Sequence, residues 1–271
     1  MSKSLSYNRH GFTLILLSIC LMVIVFLGIT LSTVLNSNYV KKVVSSDTNV
    51  TLIRNYTNQR LGRLVNSYSV STDLSAVNLT NKDVRRIINV SVDEVYDDDS
   101  QLTIGSNILA TISTKLKDQA NKYGLNIDSE IDAVIKSNEG IMNQIVNNDL
   151  GPIESVIEQI QTIKRLIKTI MVIAAVLFVI LALRLRAKVG SSMLFFHHLG
   201  TVGICTSILL AMLLGGTYFP LQDFIVNNID YNVRDVLYNV LNGIFISYIS
   251  IIFMVFIVSI LDWGSTVKYK Y

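Results

Sequence analysis

The sequence predicts an all-α integral membrane protein with four transmembrane helices and a helical extracellular domain between spans one and two. Of its 271 residues, 51% are hydrophobic and only 16% are charged, whereas soluble domains carry about 25% charged residues. Four apolar stretches have the length of roughly 20 residues that a helix needs to cross about 30 Å of hydrocarbon. The 23 basic and 20 acidic residues nearly balance, so a strongly basic nucleic-acid-binding protein is excluded.

The four predicted spans are residues 12–35, 166–183, 199–219 and 236–261. The first contains no charged residue, and its apolar run exceeds the 7–15 residues typical of the hydrophobic core of a signal peptide. We therefore expect an uncleaved signal anchor rather than a cleaved leader.

Seven basic residues near the ends of the predicted spans fall on the same side, and that side is expected to be cytoplasmic. These residues are Lys3, Arg9, Arg184, Arg186, Lys188, Lys268 and Lys270. The rule predicts a cytoplasmic N-terminus (1–11), a cytoplasmic basic loop (184–198) and a cytoplasmic C-terminus (262–271). It leaves residues 36–165 and the short loop 220–235 outside, and we expect the membrane to be the plasma membrane.

The long polar segment 36–165 carries apolar residues at helical spacing. One stripe consists of Ile104, Ile108, Leu109, Ile112 and Leu116, and a second of Ile127, Ile131, Val134, Ile135, Ile141, Ile145 and Val146. After Gly151-Pro152 a third stripe begins at Ile153, which predicts a stalk helix continuous with span two. Leu52, Ile53, Leu61, Leu64 and Val65 suggest a similar extension from span one, and a short helix is expected at Asp83–Ile88, opened by Asn81 or Asp83.

Residues that could carry chemistry are few in this sequence. The histidines His10, His197 and His198 all lie at predicted membrane boundaries, where Phe195 and Phe196 are expected to act as lipid anchors in an interfacial loop. The acidic run Asp93, Glu94, Asp97, Asp98 and Asp99 is interpreted as a solvated loop, with a divalent-ion site as the alternative. Nucleotide-binding, zinc-protease and redox motifs are absent from the sequence, so we expect no enzymatic activity, no cofactor and no bound metal.

Four N-x-[ST] sequons lie in the segment predicted to be outside, and they are candidate glycosylation sites. The acceptor residues are Asn49, Asn55, Asn78 and Asn89. Because Asn, Ser and Thr are common in this segment, some of these matches are expected by chance.

Small or weakly polar residues recur at every fourth position of two predicted spans. They are Gly203, Ser207, Ala211 and Gly215 in span three and Asn239, Gly243 and Ser247 in span four. Residues with this spacing share one face of a helix, and small residues allow two helix backbones to approach closely within lipid. The two stripes are therefore predicted to be helix-packing surfaces, either within the chain or toward another subunit.

The chain resembles the fungal PalI/eisosome-type four-span membrane proteins in its layout, which claudins share. The matching features are the sequon Asn49–Thr51 after span one, the basic turn Arg184–Lys188 and the glycine-rich third span. The resemblance implies that the protein organises a plasma-membrane domain or assists a sensing complex. The cysteine-containing elements of the claudin, tetraspanin and PalI-type outer loops have no counterpart here, since segment 36–165 contains no cysteine.

These observations predict a non-enzymatic membrane-domain organiser or accessory subunit of a membrane complex. Its expected partners are membrane lipids and other membrane proteins or further copies of itself, and not nucleic acid. Two alternatives remain open: a subunit of an oligomeric pore, and a sensor whose ectodomain signals through a partner. No span carries Asp, Glu or Arg near its centre, and ion-coupled carriers generally need such residues.

Overall fold

The computed structural model describes residues 3–67, 78–97, 104–124, 126–137, 139–140, 159–229 and 231–269, and every regular element in these ranges is helical. The shorter helices are α2 (Ser37–Val44), α3 (Asp47–Ser67), α4 (Asn81–Tyr96), α5 (Ile104–Lys122) and α6 (residues 128–137). The long helices are α1 (Lys3–Ser32), α7 (Ile160–Val189), α8 (Ser192–Asn228) and α9 (Tyr231–Thr266), and a single 3₁₀ turn, Val267–Tyr269, follows α9.

Four helices are long and apolar enough to cross a membrane. They are the Gly11–Ser32 part of α1, α7, α8 and the Val233–Thr266 part of α9. Within the described residues, the prediction of an all-helical chain with four candidate membrane-spanning helices is thereby confirmed.

The basic segment 184–198, predicted as a loop, is almost entirely helical. Helix α7 ends at Val189 and α8 begins at Ser192, so that Gly190 and Ser191 alone make the turn. Gly190 adopts φ +70°, and its N–H donates to the Arg186 carbonyl at 3.2 Å. Glycine closes helices in this left-handed conformation without steric cost, which explains how the connection can be so short.

The predicted outer loop 220–235 is also mostly helical, because α8 continues through Pro220 to Asn228. Proline inside a helix removes one backbone hydrogen bond and crowds the carbonyl of the residue four positions earlier, here Gly216. The apolar spacing nevertheless continues beyond the proline with Leu221, Phe224 and Ile225. With 37 residues, α8 is about 55 Å long at 1.5 Å per residue, well above the roughly 30 Å of hydrocarbon that a span must cross.

The chain divides into two compact units. The membrane unit comprises Met1–Asn36, Ile163–Asn227 and Leu241–Tyr271, and the polar unit comprises Ser37–Thr162 and Asn228–Val240.

Two clusters of buried side chains hold the membrane unit together. The first contains Ile29, Leu210, Leu214, Tyr248 and Ile252 from α1, α8 and α9. The second contains Leu17, Leu185, Phe195 and Val202 from α1, α7 and α8. All four candidate spans therefore contribute to the packing of this unit.

The polar unit packs its helices around α4, which contacts α2, α3 and α5. Its core consists of Val50, Leu79, Val84, Ile87, Ile88 and Ile112. The side chain of Asn58 fixes the segment that precedes α4: its amide donates to the Leu79 carbonyl at 3.1 Å and accepts from the Leu79 N–H at 2.8 Å. A polar residue on α3 thus replaces the backbone partners that this non-helical segment lacks.

Helix α4 is longer than the predicted Asp83–Ile88 and begins with a different cap. Thr80 is the N-cap: its hydroxyl accepts from the Asp83 N–H at 3.3 Å, while Asp83 accepts from the Thr80 N–H at 2.7 Å. This reciprocal pair is a capping box. The Asp83 carboxylate also pairs with Lys115 of α5 at 2.8 Å. Burial alone would raise the pKa of Asp83, but the hydrogen bonds from Lys115 and Thr80 outweigh it and hold the pKa below its usual value.

The apolar stripes predicted in segment 36–165 are buried only in part. Leu109 and Ile112 of the first stripe are buried in α5, and Ile131 of the second is buried in α6. Val134 is 59% exposed. Residues Ile141, Ile145 and Val146 and the stalk residues 152–158 lie outside the described residues, and α7 is seen from Ile160.

The predicted extension of span one is wrong, because α1 ends at Ser32 and α2 and α3 follow as separate helices. The hydroxyls of Ser32 and Thr33 both donate to the Ile29 carbonyl, at 3.0 and 2.7 Å.

Replacing Asp83 with asparagine should destabilise the chain by about 1–2 kcal/mol at neutral pH, since the capping bond and a charged hydrogen bond are weakened together. Because the folded pKa is lowered, the contribution of Asp83 is fully present above the unfolded value of about 3.9 and disappears as pH falls through the folded pKa. Thermal unfolding of the full chain in mild detergent, at neutral and acidic pH, measures both effects.

Asp132→Asn is the matched control, because Asp132 also pairs with a lysine, Lys117 at 2.6 Å, but its side chain is 61% exposed against 22% for Asp83. Exposed ion pairs contribute little to stability, so this variant should melt as the wild type does. Equal losses in the two variants would contradict the role given to the α4 cap.

Candidate functional site

Helices α8 and α9 approach each other closely at Gly200 and Gly203. A β-carbon at Gly203 would overlap the Ser259 hydroxyl and lie 2.8 Å from the Ser259 Cβ. A β-carbon at Gly200 would lie 2.8 Å from the backbone nitrogen of Trp263 and 3.0 Å from the Ser259 carbonyl. No side chain fits at either position, so the approach of the two helices depends on both glycines.

The first half of the span-three stripe is therefore used within the chain. Ser207 is buried, and its hydroxyl donates to the Gly203 carbonyl at 2.9 Å. On the neighbouring face, the Thr206 hydroxyl donates to the Ser18 carbonyl of α1 at 3.0 Å, and the Ser18 hydroxyl donates to the Val202 carbonyl at 3.4 Å. Helix α8 thus contacts α9 through small residues and α1 through hydroxyl groups.

The second half of the same stripe is open. Ala211 is exposed and Gly215 is half-buried, and a β-carbon at Gly215 would meet no atom within 4 Å. Both residues line a cavity of about 420 Å³ between α8 and α9. The remaining wall is apolar and includes Leu214, Phe245, Ile249 and Phe253. A single stripe on α8 therefore has one end packed against α9 and the other end lining an open apolar groove, which we call the α8–α9 groove.

The span-four stripe is split between the two units. Ser247 donates to the carbonyl of Gly243 in its own helix at 3.2 Å, and both residues are half-buried in the membrane unit. Asn239 belongs to the polar unit, where its side-chain amide donates to the Asn49 side-chain oxygen at 3.0 Å. The structure therefore brings Asn239 to a partner in the polar unit instead of to a neighbouring span.

Among the four sequons, Asn49 is the one whose environment conflicts with glycosylation. It is 1% exposed, and its amide donates to the Val43 carbonyl at 3.0 Å while its oxygen accepts from Asn239. A glycan on this nitrogen has no room in the folded structure. Asn55 and Asn78 are exposed and Asn89 is half-buried, so these three remain candidate acceptors.

The histidine pair lies in a helix and not in an interfacial loop. His197 is 3% exposed, stacks on Trp263 with ring centres 5.5 Å apart, and places Nδ1 3.3 Å from the Thr266 hydroxyl. The same hydroxyl donates to the Asp262 carbonyl at 2.7 Å. Phe195, predicted as a lipid anchor, is buried at 8% exposure, whereas Phe196 is 43% exposed.

Two interhelical hydrogen bonds join residue pairs that the sequence did not identify. The Thr30 hydroxyl and the Tyr248 hydroxyl lie 2.6 Å apart between α1 and α9, and the Tyr218 hydroxyl donates to the Asn242 side-chain oxygen at 2.6 Å between α8 and α9. The sequence did contain a signal for these bonds, namely a hydroxyl or amide group inside an apolar span. Such a group finds few hydrogen-bond partners in lipid other than a neighbouring helix.

The acidic run divides among different roles. Asp93 pairs with Lys41, Glu94 accepts from Asn107 at 3.2 Å, and Asp97 forms the C-cap of α4. Asp98 and Asp99 lie outside the described residues. Within the described ranges no group of three or more His, Cys, Asp or Glu side chains is arranged to hold a metal ion.

No family model, no curated protein and no solved structure matches this chain.

Gly203→Ala should destabilise the membrane unit by about 1–3 kcal/mol, the usual range for overpacking. Gly215→Ala is the control in the same helix, and it should be neutral or slightly stabilising, since alanine favours a helix over glycine by about 1 kcal/mol. Thermal unfolding in mild detergent distinguishes the two variants.

The contact between Gly203 and Ser259 can be tested further with the double variant Gly203→Ala/Ser259→Gly. Removing the Ser259 side chain leaves only its Cα, 3.9 Å from the new β-carbon, so stability should recover. A double variant no more stable than Gly203→Ala alone would show that this pair does not set the distance between α8 and α9.

Proposed function

We propose that this chain is a non-enzymatic plasma-membrane protein that organises a membrane domain or serves as an accessory subunit of a membrane complex. The single observation that carries the proposal is the α8–α9 groove, in which Ala211 and Gly215 are left open by the helices of the chain itself. The occupant we propose is a transmembrane helix of another membrane protein.

The chemistry of the groove favours a helix as its occupant. Helix association within lipid depends on close backbone approach and interhelical polar contacts, because lipid tails are as apolar as leucine. Gly215 and Ala211 lie one helical turn apart and provide a smooth strip, while Phe245 and Phe253 form the opposite wall. The packed half of the same stripe shows that this spacing accommodates a helix, since Gly203 lies directly against Ser259 of α9.

The sequence supports a role without catalysis or ion coupling. The four span cores contain no Asp, Glu or Arg near their centres, and the polar groups within them are hydroxyls, amides and the thiols of Cys20 and Cys205. The hydroxyls of Thr30 and Thr206 and the amide of Asn242 form contacts between spans. We therefore assign them to holding the helices together and not to moving ions.

The topology in this proposal has both termini in the cytoplasm and the polar unit outside the cell. It rests on the basic residues of the Arg184–Lys188 end of α7 and of both termini. It agrees with the resemblance to PalI/eisosome-type four-span proteins, in which the larger loop follows span one. We propose membership of that type on layout alone.

Site-specific photo-crosslinking in native membranes tests the groove. A photoreactive residue at Ala211 should give an adduct of discrete mass with another membrane protein, whereas one at Met212 should not. Met212 is the neighbouring residue on α8, is 69% exposed and does not line the groove. Gly215→Leu would fill the groove and should abolish the adduct formed at Ala211.

The pattern of adducts distinguishes the alternatives. A regular series of multiples of the chain itself would favour the subunit of an oligomeric pore. Lipid adducts alone at Ala211 would contradict the proposal that a protein helix occupies the groove.

Cysteine labelling with a membrane-impermeant reagent tests the topology in a variant whose native Cys20 and Cys205 are replaced. A cysteine at Ser129, which is exposed in the polar unit, should react in intact cells. One at Ser191, in the turn between α7 and α8, should react only after the cells are permeabilised. The reverse pattern would place the polar unit in the cytoplasm.

A further inference from the structure

Helix α7 is the least covered of the four candidate spans. Ala174 and Leu185 are the buried residues among those described in this helix. Many of its other large apolar side chains are about half exposed within the membrane unit.

One face of α7 combines apolar side chains with two cations at its C-terminal end. Ile173, Leu177 and Ile180 are 55%, 48% and 55% exposed, and Arg184 and Lys188 continue the same line. At 100° per residue these five positions fall within an arc of about 80°. We call this line the α7 lipid face.

The length of the α7 lipid face matches one leaflet of a bilayer. Ile173 and Arg184 are eleven positions apart, which is about 16 Å along a helix. Half of a hydrocarbon core of about 30 Å is about 15 Å. A lipid acyl chain that begins beside Arg184 would therefore extend along this face to the middle of the bilayer.

The charge at the end of this face favours an anion. Arg184 and Lys188 are exposed, and in the part of the chain that the structure describes neither forms an ion pair. Arg186 points elsewhere, since its guanidinium lies 6.0 Å from the centre of the Phe195 ring. Only Gly190 and Ser191 separate the C-terminus of α7 from the N-terminus of α8. The dipoles of these two helix ends have opposite signs and largely cancel, so the side chains dominate the local charge.

We propose that the α7 lipid face binds one anionic phospholipid, with its phosphate against Arg184 and Lys188 and an acyl chain along Ile180, Leu177 and Ile173. A partner helix fits this face less well, because its side chains are large and hold another backbone at a distance. A flexible acyl chain adapts to such a surface. This inference stands apart from the α8–α9 groove and does not depend on the proposed function.

Native mass spectrometry of the full chain in mild detergent tests the proposal, with dioleoylphosphatidylserine and dioleoylphosphatidylcholine as the two probes. The wild type should retain one phosphatidylserine in preference to phosphatidylcholine. Each basic residue near an anionic lipid surface contributes about a fivefold change in binding. Arg184→Gln and Lys188→Gln should therefore each weaken phosphatidylserine binding by about fivefold, and the double variant should weaken it by more than tenfold. Binding of phosphatidylcholine should not change.

Lys168→Gln is the matched control, because it removes the same charge from an exposed position near the other end of α7. It should leave phosphatidylserine binding unchanged. Leu177→Ala tests the acyl-chain contact and should weaken both lipids. Equal retention of the two lipids by the wild type would overturn the proposal, as would a loss in Lys168→Gln as large as that in Arg184→Gln.

Discussion

The membrane unit depends on the absence of side chains at Gly200 and Gly203. In lipid, helices are not driven together by exclusion of water, so backbone proximity must supply much of the attraction. Where Ser259 and Trp263 of α9 fill the space that a β-carbon would occupy, α8 and α9 come close enough for other groups to interact. The stacking of His197 on Trp263 and its bond to Thr266 both follow from that approach.

The polar unit depends on a different constraint, the pairing of backbone groups where helices end. Thr80 and Asp83 satisfy the start of α4, and Asn58 satisfies the segment before it. With its end fixed, α4 can place Val84, Ile87 and Ile88 against α2, α3 and α5. Side chains with short polar groups thus set the orientation of the apolar core, although they bury little area themselves.

Candidate spans could be located from the sequence because the hydropathy of a segment depends only on its composition, and the spacing of Gly203 and Ser207 predicted a helix-packing surface. The sequence could not show which part of the stripe is covered, since Ala211 and Gly215 have the same spacing as Gly203 and differ only in what lies opposite. Helix ends were misplaced for a similar reason. Pro220 and the basic residues after Leu183 usually mark boundaries, but α8 continues through Pro220, and α7 continues to Val189, where the left-handed Gly190 ends it.

The bond between Asn49 and Asn239 joins residues separated by 190 positions. At synthesis rates of about 5–20 residues per second, the ribosome needs about 10–40 s to reach the second asparagine after making the first. During that interval the Asn49 side-chain oxygen lacks its final partner, the amide of Asn239. A group attached to the Asn49 nitrogen during that interval would displace its hydrogen bond to the Val43 carbonyl and would need space that the folded structure closes around this 1% exposed side chain. The chemical fate of Asn49 is thus decided by the order of events in biosynthesis and not by the accessibility of the finished protein.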